Sequence, residues 1–240
     1  MATDRYASNP AVDRQRPARA ALRVGVFGGT FNPIHLGHLR SAEEVAEAHA
    51  LDRVLFVPSA TPPHKRTVGL ASAADRLAMV RLALTGNPRF RVSSIEIDRG
   101  GRSFSVDTLR ALRTRMPTAR FTFIVGDDAF REIASWKEYT AFFGLCDVVV
   151  TSRPPGPSLA LATAVPVAVR EEFCYRRDRR FLEHSTGHRI AFQQLTNLDI
   201  SSTVVRQLLR HGRSVRYLIP TPVERYIRHH GLYAGPAGLA

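Results

Sequence analysis

Residues 24–38 read Val24-Gly25-Val26-Phe27-Gly28-Gly29-Thr30-Phe31-Asn32-Pro33-Ile34-His35-Leu36-Gly37-His38, and this stretch decides the fold. An apolar run ends at two glycines, a short proline-containing loop follows, and a helix-like pattern begins with the two histidines. Glycines let an anion approach backbone N–H groups closely, and a helix N-terminus supplies further N–H donors. The stretch therefore predicts a strand, a phosphate-binding loop and a helix.

The two histidines, His35 and His38, are three residues apart, so their side chains project from one face of the predicted helix. Such a pair also suits a metal site, but no third His, Cys or carboxylate is clearly placed with it. The loop lacks the lysine of a P-loop and the third glycine of a dinucleotide fingerprint. We therefore expect a different phosphate site, without protein metal ligands, in which Asn32 or Pro33 helps to begin the helix.

Strands and helices alternate along the rest of the chain. The hydrophobic pattern predicts strands over 22–27, 53–57, 90–97, 121–125, 147–151 and 189–193. It predicts helices over 36–50, 72–84, 106–115, 202–210 and 223–230. Several strands are short continuous apolar runs, which favours a parallel sheet covered on both faces. Segment 158–186 has the weakest pattern, and we expect short helices there.

Polar motifs follow three of the predicted strands. These motifs span residues 28–38, 58–65 and 126–128. In parallel α/β sheets, ligands bind beyond the carboxyl ends of the strands. We therefore expect the three motifs to meet at one site.

The net charge of +13 comes almost entirely from arginine, because Lys65 and Lys137 are the only lysines. The arginines are spread along the chain with one cluster within 176–180, so we interpret them as genome composition and a solvated basic face. No apolar stretch reaches membrane-spanning length, and residues 1–21 lack the apolar centre of a secretion signal. Two cysteines suit a reducing compartment, so we expect a cytoplasmic protein.

The length of 240 residues is sufficient for one α/β domain with a substantial core. We expect this domain to span residues 22–233. The polar N-terminal residues 1–21 are expected to form a disordered extension, and residues 234–240 a flexible C-terminal tail.

Two motifs resemble signatures of the nucleotidyltransferase superfamily. The stretch ending in His35-Leu36-Gly37-His38 resembles its (H/T)xGH motif, and Ile200-Ser201-Ser202-Thr203-Val204-Val205-Arg206 resembles its ISSTxxR motif. Further segments narrow the resemblance to bacterial nicotinate-nucleotide adenylyltransferases. They are Pro62-Pro63-His64-Lys65, Ser103-Phe104-Ser105-Val106-Asp107-Thr108-Leu109, Gly126-Asp127-Asp128, Trp136-Lys137, Ser152-Arg153-Pro154 and Val215-Arg216-Tyr217-Leu218-Ile219-Pro220.

This resemblance implies a Rossmann-like, doubly wound, mainly parallel α/β fold and a reaction of NAD biosynthesis. Nicotinate mononucleotide and ATP would give nicotinate adenine dinucleotide and pyrophosphate. Mg²⁺ would bind through the ATP phosphates. The implied partners are ATP and the mononucleotide, with no nucleic acid and no membrane, and a homodimer is left open.

The resemblance also implies roles for individual residues. The catalytic residues would be His35, His38 and Arg206. The ATP-binding residues would be Gly28, Gly29, Thr30, Phe31, Gly126, Asp128, Ser202 and Thr203. The mononucleotide-binding residues would be His64, Lys65, Ser105 and Trp136. Position 127 is commonly small in the family but is Asp here, so either Asp127 or Asp128 could face the ribose; the register favours Asp128.

Three alternatives remain open from the sequence. A nicotinamide mononucleotide adenylyltransferase would differ only in the charge of the accepted ring substituent. A nucleotide-binding regulatory module would keep the fold without turnover. A basic nucleic-acid binder would show tight, salt-sensitive binding to duplex DNA, although the sequence has no base-reading motif.

Overall fold

The computed structural model describes residues 21–62, 69–152, 165–176, 181–196 and 198–235. The strands in these ranges are β1 Arg23–Gly29, β2 Arg53–Pro58, β3 Phe90–Val92, β4 Arg120–Gly126, β5 Asp147–Ser152, β6 Phe173–Arg176, β7 Phe181–His184 and β8 Arg189–Gln194. The α-helices are α1 Leu36–Ala48, α2 Ala73–Ala83, α3 Ile95–Arg99, α4 Ser105–Arg115, α5 Asp127–Arg131, α6 Tyr139–Phe142, α7 Ser202–Arg210 and α8 Thr221–His229. Short 3₁₀ turns span Ile133–Ser135 and Val167–Glu172.

Within the described ranges the strands form one sheet in the order β3-β2-β1-β4-β5-β8-β7-β6. Neighbouring strands are parallel from β3 to β8, whereas β7 and β6 add an antiparallel edge. The prediction of a doubly wound, mainly parallel α/β sheet is confirmed. This topology places β1 and β4 side by side in the middle of the sheet, with their carboxyl ends at the same edge.

Both faces of the sheet are buried, because successive side chains of each strand point to opposite sides. In β5, Val148 and Val150 belong to the first of two apolar clusters, on one face of the sheet, and Val149 belongs to the second cluster, on the other face. Helices α4, α5 and α6 cover the first face, and α1, α2, α7 and α8 cover the second. This two-sided burial explains why the central strands read as continuous apolar runs.

Two predicted elements are wrong in part. The strand predicted over 90–97 ends at Val92, where pairing with β2 stops, and Ile95–Arg99 forms a helix instead. The alternation of Ile95 and Ile97 imitates a strand because a five-residue helix is too short to show its own period. The second error lies in segment 158–186, whose described part contains a 3₁₀ turn as expected but also strands β6 and β7.

No helix in the described ranges is long and apolar enough to cross a membrane.

Ile190 in β8 tests the packing of the sheet next to β7 and β6, the strands that the sequence pattern did not predict. Its side chain is fully buried in the first cluster, so Ile190→Ala is expected to lower the free energy of unfolding by about 2–5 kcal/mol. The control Val167→Ala removes an exposed side chain and is expected to change it by less than about 0.5 kcal/mol. Urea unfolding followed by circular dichroism measures both, and equal effects would contradict this packing.

Candidate functional site

The loop after β1 and the start of α1 form the centre of the candidate site. His35 is the N-cap of α1 and is buried, so it begins the helix in place of the predicted Asn32 or Pro33. The His38 N–H donates to His35 Nδ1 at 3.3 Å, and the His35 N–H donates to His38 Nδ1 at 3.2 Å. The two rings stack with centroids 3.6 Å apart.

These reciprocal hydrogen bonds determine the tautomer of both histidines. An Nδ1 atom that accepts a hydrogen bond cannot carry the proton, so each neutral ring carries it on Nε2. Each Nε2 is then a hydrogen-bond donor. In this tautomer each ring can donate from Nε2 to an anion.

Gly37 allows the histidine rings to stack in this way. A Cβ atom at Gly37 would lie 3.0 Å from Nδ1 of His35 and 3.1 Å from Cε1 of the same ring. A larger residue would therefore push His35 away from its capping position. This close approach explains the glycine between the two histidines.

The N-terminus of α7 is bound directly to the loop after β1. The Ser202 hydroxyl donates to the Pro33 carbonyl at 2.8 Å, and Arg206 Nη1 donates to the Asn32 carbonyl at 2.8 Å. Arg206 Nη2 also donates to Thr203 Oγ1 at 3.4 Å. The structure thus brings the two sequence motifs together. The Ser202 hydroxyl has only one proton, so while it bonds to Pro33 it cannot donate to a phosphate.

Arg76 also holds this loop in place, although no motif in the sequence points to it. Its guanidinium is buried and donates to the carbonyls of Thr30, Ala60 and Ala71 at 2.9, 2.9 and 3.1 Å. Burial lowers the pKa of Arg76, yet an arginine stays protonated in proteins. One side chain thus fixes the ends of β1 and β2 and the start of α2.

Beside this loop lies a cleft of about 420 Å³ between the carboxyl ends of β1, β2 and β4, a size typical of small-ligand sites. The predicted site residues that line it are Gly28, Gly29, Thr30, Ser105, Gly126, Asp128 and Trp136. Phe31 instead buries its ring, which packs edge-on against His38 with centroids 5.1 Å apart. The structure therefore contains a histidine and arginine cluster and an adjoining cleft.

Of the two candidate acids, Asp128, in the first turn of α5, lines this cleft, whereas Asp127 accepts the Asp128 N–H at 2.9 Å. A Cβ atom at Gly126 would lie 2.5 Å from Asp128 Oδ1. Glycine at this position therefore allows the Asp128 carboxylate to lie close to the strand end. This arrangement agrees with the register argument for Asp128, although its contact with a ribose stays a prediction.

The far end of the cleft is aromatic. Trp136 packs edge-on against Phe123 and Phe142, with centroids 6.0 and 5.6 Å away, and its backbone N–H donates to the Ile133 carbonyl at 2.9 Å. Ser105 lines the same region as the first residue of α4, whose N-cap makes no side-chain hydrogen bond. Exposed N–H groups at a helix start favour a carboxylate or phosphate.

Glu96 lies in the wall of the cleft and was missed in the sequence because it falls in the segment misread as strand. Burial raises the pKa of this carboxyl, while hydrogen bonds from Thr108 and Ser103 oppose that effect. The Thr108 hydroxyl donates to it at 2.6 Å. Ser103 Oγ in turn accepts the Ala60 N–H at 2.9 Å. Glu96 therefore connects the loop before α4 to the end of β2.

Two further side chains in the cleft had no assigned role. Ser59 Oγ is buried in its wall and has no hydrogen-bond partner among the described residues. Lys137 Nζ lies 3.0 Å from both carboxylate oxygens of Asp107 and 5.3 Å from the centre of the Phe104 ring. The Lys137 ammonium is thus already paired.

The remaining predicted residues, His64 and Lys65, lie outside the described residues. Arg153 of the Ser-Arg-Pro segment lies outside them as well. In the ranges described, no group of three or more His, Cys, Asp or Glu side chains is arranged to hold a metal ion.

Comparison with known proteins adds independent information. A family model described as Cytidylyltransferase-like matches residues 26–208. The chain is 51% identical over 212 residues to a Geobacter sp. (strain M21) protein named "Probable nicotinate-nucleotide adenylyltransferase". The aligned residues make up 88% of this chain and 98% of the relative. A Geobacter sulfurreducens protein of the same name is 48% identical over 213 residues, or 89% and 99% of the two chains. The chain belongs to the nicotinate-nucleotide adenylyltransferase family.

Solved structures agree with this family at the level of the fold. The Plasmodium falciparum nicotinic acid mononucleotide adenylyltransferase complexed with NaAD superposes with a TM-score of 0.65 at 16% identity, over 88% of this chain and 97% of that one. The same enzyme complexed with APC gives a TM-score of 0.63 at 15% identity, over 88% and 96%. This member of the nicotinate-nucleotide adenylyltransferase family therefore shares its fold with solved structures to which its sequence identity is low.

Glu96 makes the stability of this family member depend on pH in a defined direction. Because burial raises the folded-state pKa, its contribution to stability is complete below the usual carboxyl pKa and is lost as the pH rises through the folded-state pKa. Glutamine does not titrate, so the free energy of unfolding of Glu96→Gln relative to wild type is expected to increase between about pH 5 and about pH 8. Urea unfolding at both values measures it.

The matched control is Glu138→Gln. Hydrogen bonding to Arg110 lowers the pKa of Glu138, so its contribution is present above the usual carboxyl pKa and is lost on acidification. Between the two pH values, the free energy of unfolding of Glu138→Gln relative to wild type is expected to fall or to stay constant. A constant value is expected where the exposed ion pair with Arg110 contributes nothing to stability. A Glu96→Gln profile that is flat or falls with pH would contradict the assigned environment.

Proposed function

We propose that this chain transfers the adenylyl group of ATP to nicotinate mononucleotide, giving nicotinate adenine dinucleotide and pyrophosphate. The observation that carries the proposal is the contact between the histidine-containing loop and the start of α7, directly beside a cleft of mononucleotide size. The family relationship supports the same reaction. We place it in NAD biosynthesis and in the cytoplasm.

In the proposed reaction a 5′-phosphate oxygen of the mononucleotide attacks the α-phosphorus of ATP. The bond from that phosphorus to the bridging oxygen breaks, and pyrophosphate leaves with its electrons. Both reactants are anionic, so the protein mainly has to align them and stabilise the charge that develops. It need not supply a covalent nucleophile.

His35, His38 and Arg206 supply the donors for this charge. The Nε2–H groups of the two neutral rings would bond to ATP phosphate oxygens, and the remaining N–H groups of Arg206 would bond to the β- and γ-phosphates with a geometry suited to phosphate. Thr203 and the backbone N–H groups at the start of α7 would complete this cradle. We propose that Ser202 mainly holds α7 against Pro33, since its proton is used there.

Mg²⁺ fits this site as an ion carried by the nucleotide. The described residues offer no dedicated cluster of metal ligands, and Mg²⁺ in nucleotide sites is held mostly by phosphates and water. Bound in that way, it would neutralise part of the triphosphate charge.

The aromatic end of the cleft would hold the acceptor nucleotide. We propose that Trp136 contacts the pyridine ring and that Ser105, at the start of α4, contacts its carboxylate. Asp128 would accept hydrogen bonds from ribose hydroxyls on the ATP side. His64 and Lys65 are proposed to meet the acceptor phosphate.

The substrate is tested by pyrophosphate release from ATP with nicotinate or nicotinamide mononucleotide at equal concentration. Turnover is expected to be faster with nicotinate mononucleotide, because an anionic ring substituent suits the start of α4. Faster turnover with the amide would contradict the proposed acceptor. Absence of release despite measurable ATP binding would instead indicate a regulatory module.

His38 is tested by two substitutions. His38→Ala removes both ring nitrogens, whereas His38→Asn keeps an acceptor near the Nδ1 position but loses the Nε2 donor. Both are expected to lower kcat by about 10²- to 10³-fold, because each removes a donor to the charged transition state. Steady-state kinetics measures the effect.

The control for these variants is His229→Ala, which changes an exposed histidine in the last turn of α8 and is expected to leave kcat unchanged. Near-normal turnover of His38→Asn would show that the Nε2 donor is not used. Circular dichroism checks that each variant is folded.

A further inference from the structure

Tyr233 forms a hydrogen bond with the loop after β1, residues 30–35, which we call the phosphate loop. Its hydroxyl donates to Asn32 Oδ1 at 2.6 Å, across 201 positions of sequence. Tyr233 has a φ of 64°, a left-handed conformation that a non-glycine residue keeps only when its surroundings hold it there. Burial raises the pKa of the phenol, so it remains a donor at neutral pH.

The Asn32 side chain is fixed by three hydrogen bonds. Oδ1 accepts from Tyr233 and from the Ala71 N–H at 3.0 Å, and Nδ2 donates to the Gly69 carbonyl at 3.0 Å. These partners determine which way the amide points, because its oxygen and nitrogen meet groups of opposite type. The residue is buried, so loss of one partner is not readily replaced by water.

The backbone of Asn32 contacts residues of the proposed phosphate site. Its carbonyl accepts the Arg206 guanidinium, and the next carbonyl, that of Pro33, accepts the Ser202 hydroxyl. A rotation of Asn32 would therefore move the acceptors that position α7. A shift of about 1 Å in a catalytic group can cost up to about 100-fold in rate.

The C-terminal segment also contacts the other end of α7. A Cβ atom at Gly235 would lie 2.5 Å from the Arg210 carbonyl oxygen, so the segment packs closely against the last turn of that helix. Residues 231–235 thus contact α7 at its C-terminus and, through Asn32, at its N-terminus.

We propose that Tyr233 is a positioning residue for adenylyl transfer, because its hydroxyl fixes Asn32 and thereby the phosphate loop and Arg206. This inference rests on the proposed function. It assigns a role to a segment outside residues 26–208, the range of the matching family model.

The test compares Tyr233→Phe with Tyr226→Phe. Tyr226 is the matched control, since its hydroxyl donates to Asp75 Oδ1 at 2.9 Å from the same C-terminal region. Steady-state kinetics with ATP and nicotinate mononucleotide is expected to give an about tenfold lower kcat for Tyr233→Phe. Its KM for the mononucleotide is expected to stay within about twofold, because the cleft is not changed. Tyr226→Phe is expected to keep the wild-type kcat.

A second measurement does not depend on activity. Hydrogen exchange of the peptide covering residues 30–36 is expected to be faster in Tyr233→Phe than in Tyr226→Phe, with similar free energies of unfolding. Equal kcat values for the two variants, or faster exchange without a loss of kcat, would overturn the inference. Lack of turnover by the wild type would refute the proposed function instead. In that case the exchange measurement still tests Tyr233, because equal hydrogen exchange of residues 30–36 in the two variants would refute its role.

Discussion

Two hydrogen bonds from α7 to the loop after β1 hold the site together. Ser202 and Arg206 bind the carbonyls of residues 33 and 32, which are 169 and 174 positions away in sequence. Their formation requires β1 at the centre of the sheet and α7 packed on its second face. The hydrophobic core thus creates the site indirectly, because it fixes the two backbone segments between which these bonds can form.

The donors at this site are largely neutral or belong to the backbone. The reciprocal bonds of His35 and His38 leave Nε2 of each ring as the donor, and α4 and α7 direct their N-termini toward the same edge of the sheet. A neutral donor is not repelled by a neighbouring Arg206, so several donors can be placed close together. This arrangement differs from a P-loop, in which a lysine carries the charge.

Much of the site could be predicted from sequence because its residues occur in contiguous motifs at strand ends. The loop of residues 28–38, the start of α7 and the acids after β4 all lie where parallel-strand topology places them. Glu96 was missed because the short helix α3 resembles a strand. Arg76 and Tyr233 were missed because no local pattern encodes contacts with the Thr30 carbonyl or the Asn32 side chain, which lie 46 and 201 positions away.

The burial of Arg76 has a consequence for the capture of ligands. Its guanidinium bonds to three backbone carbonyls beneath the loop, so these contacts do not cancel its positive charge. Dissolved ions screen a buried charge much less than an exposed one. The many surface arginines attract any polyanion and lose that attraction as salt rises, whereas Arg76 keeps a fixed, local attraction at the strand ends. The attraction exerted by Arg76 at the strand ends is therefore expected to depend less on ionic strength than that of the surface arginines, which dominate the net charge of +13.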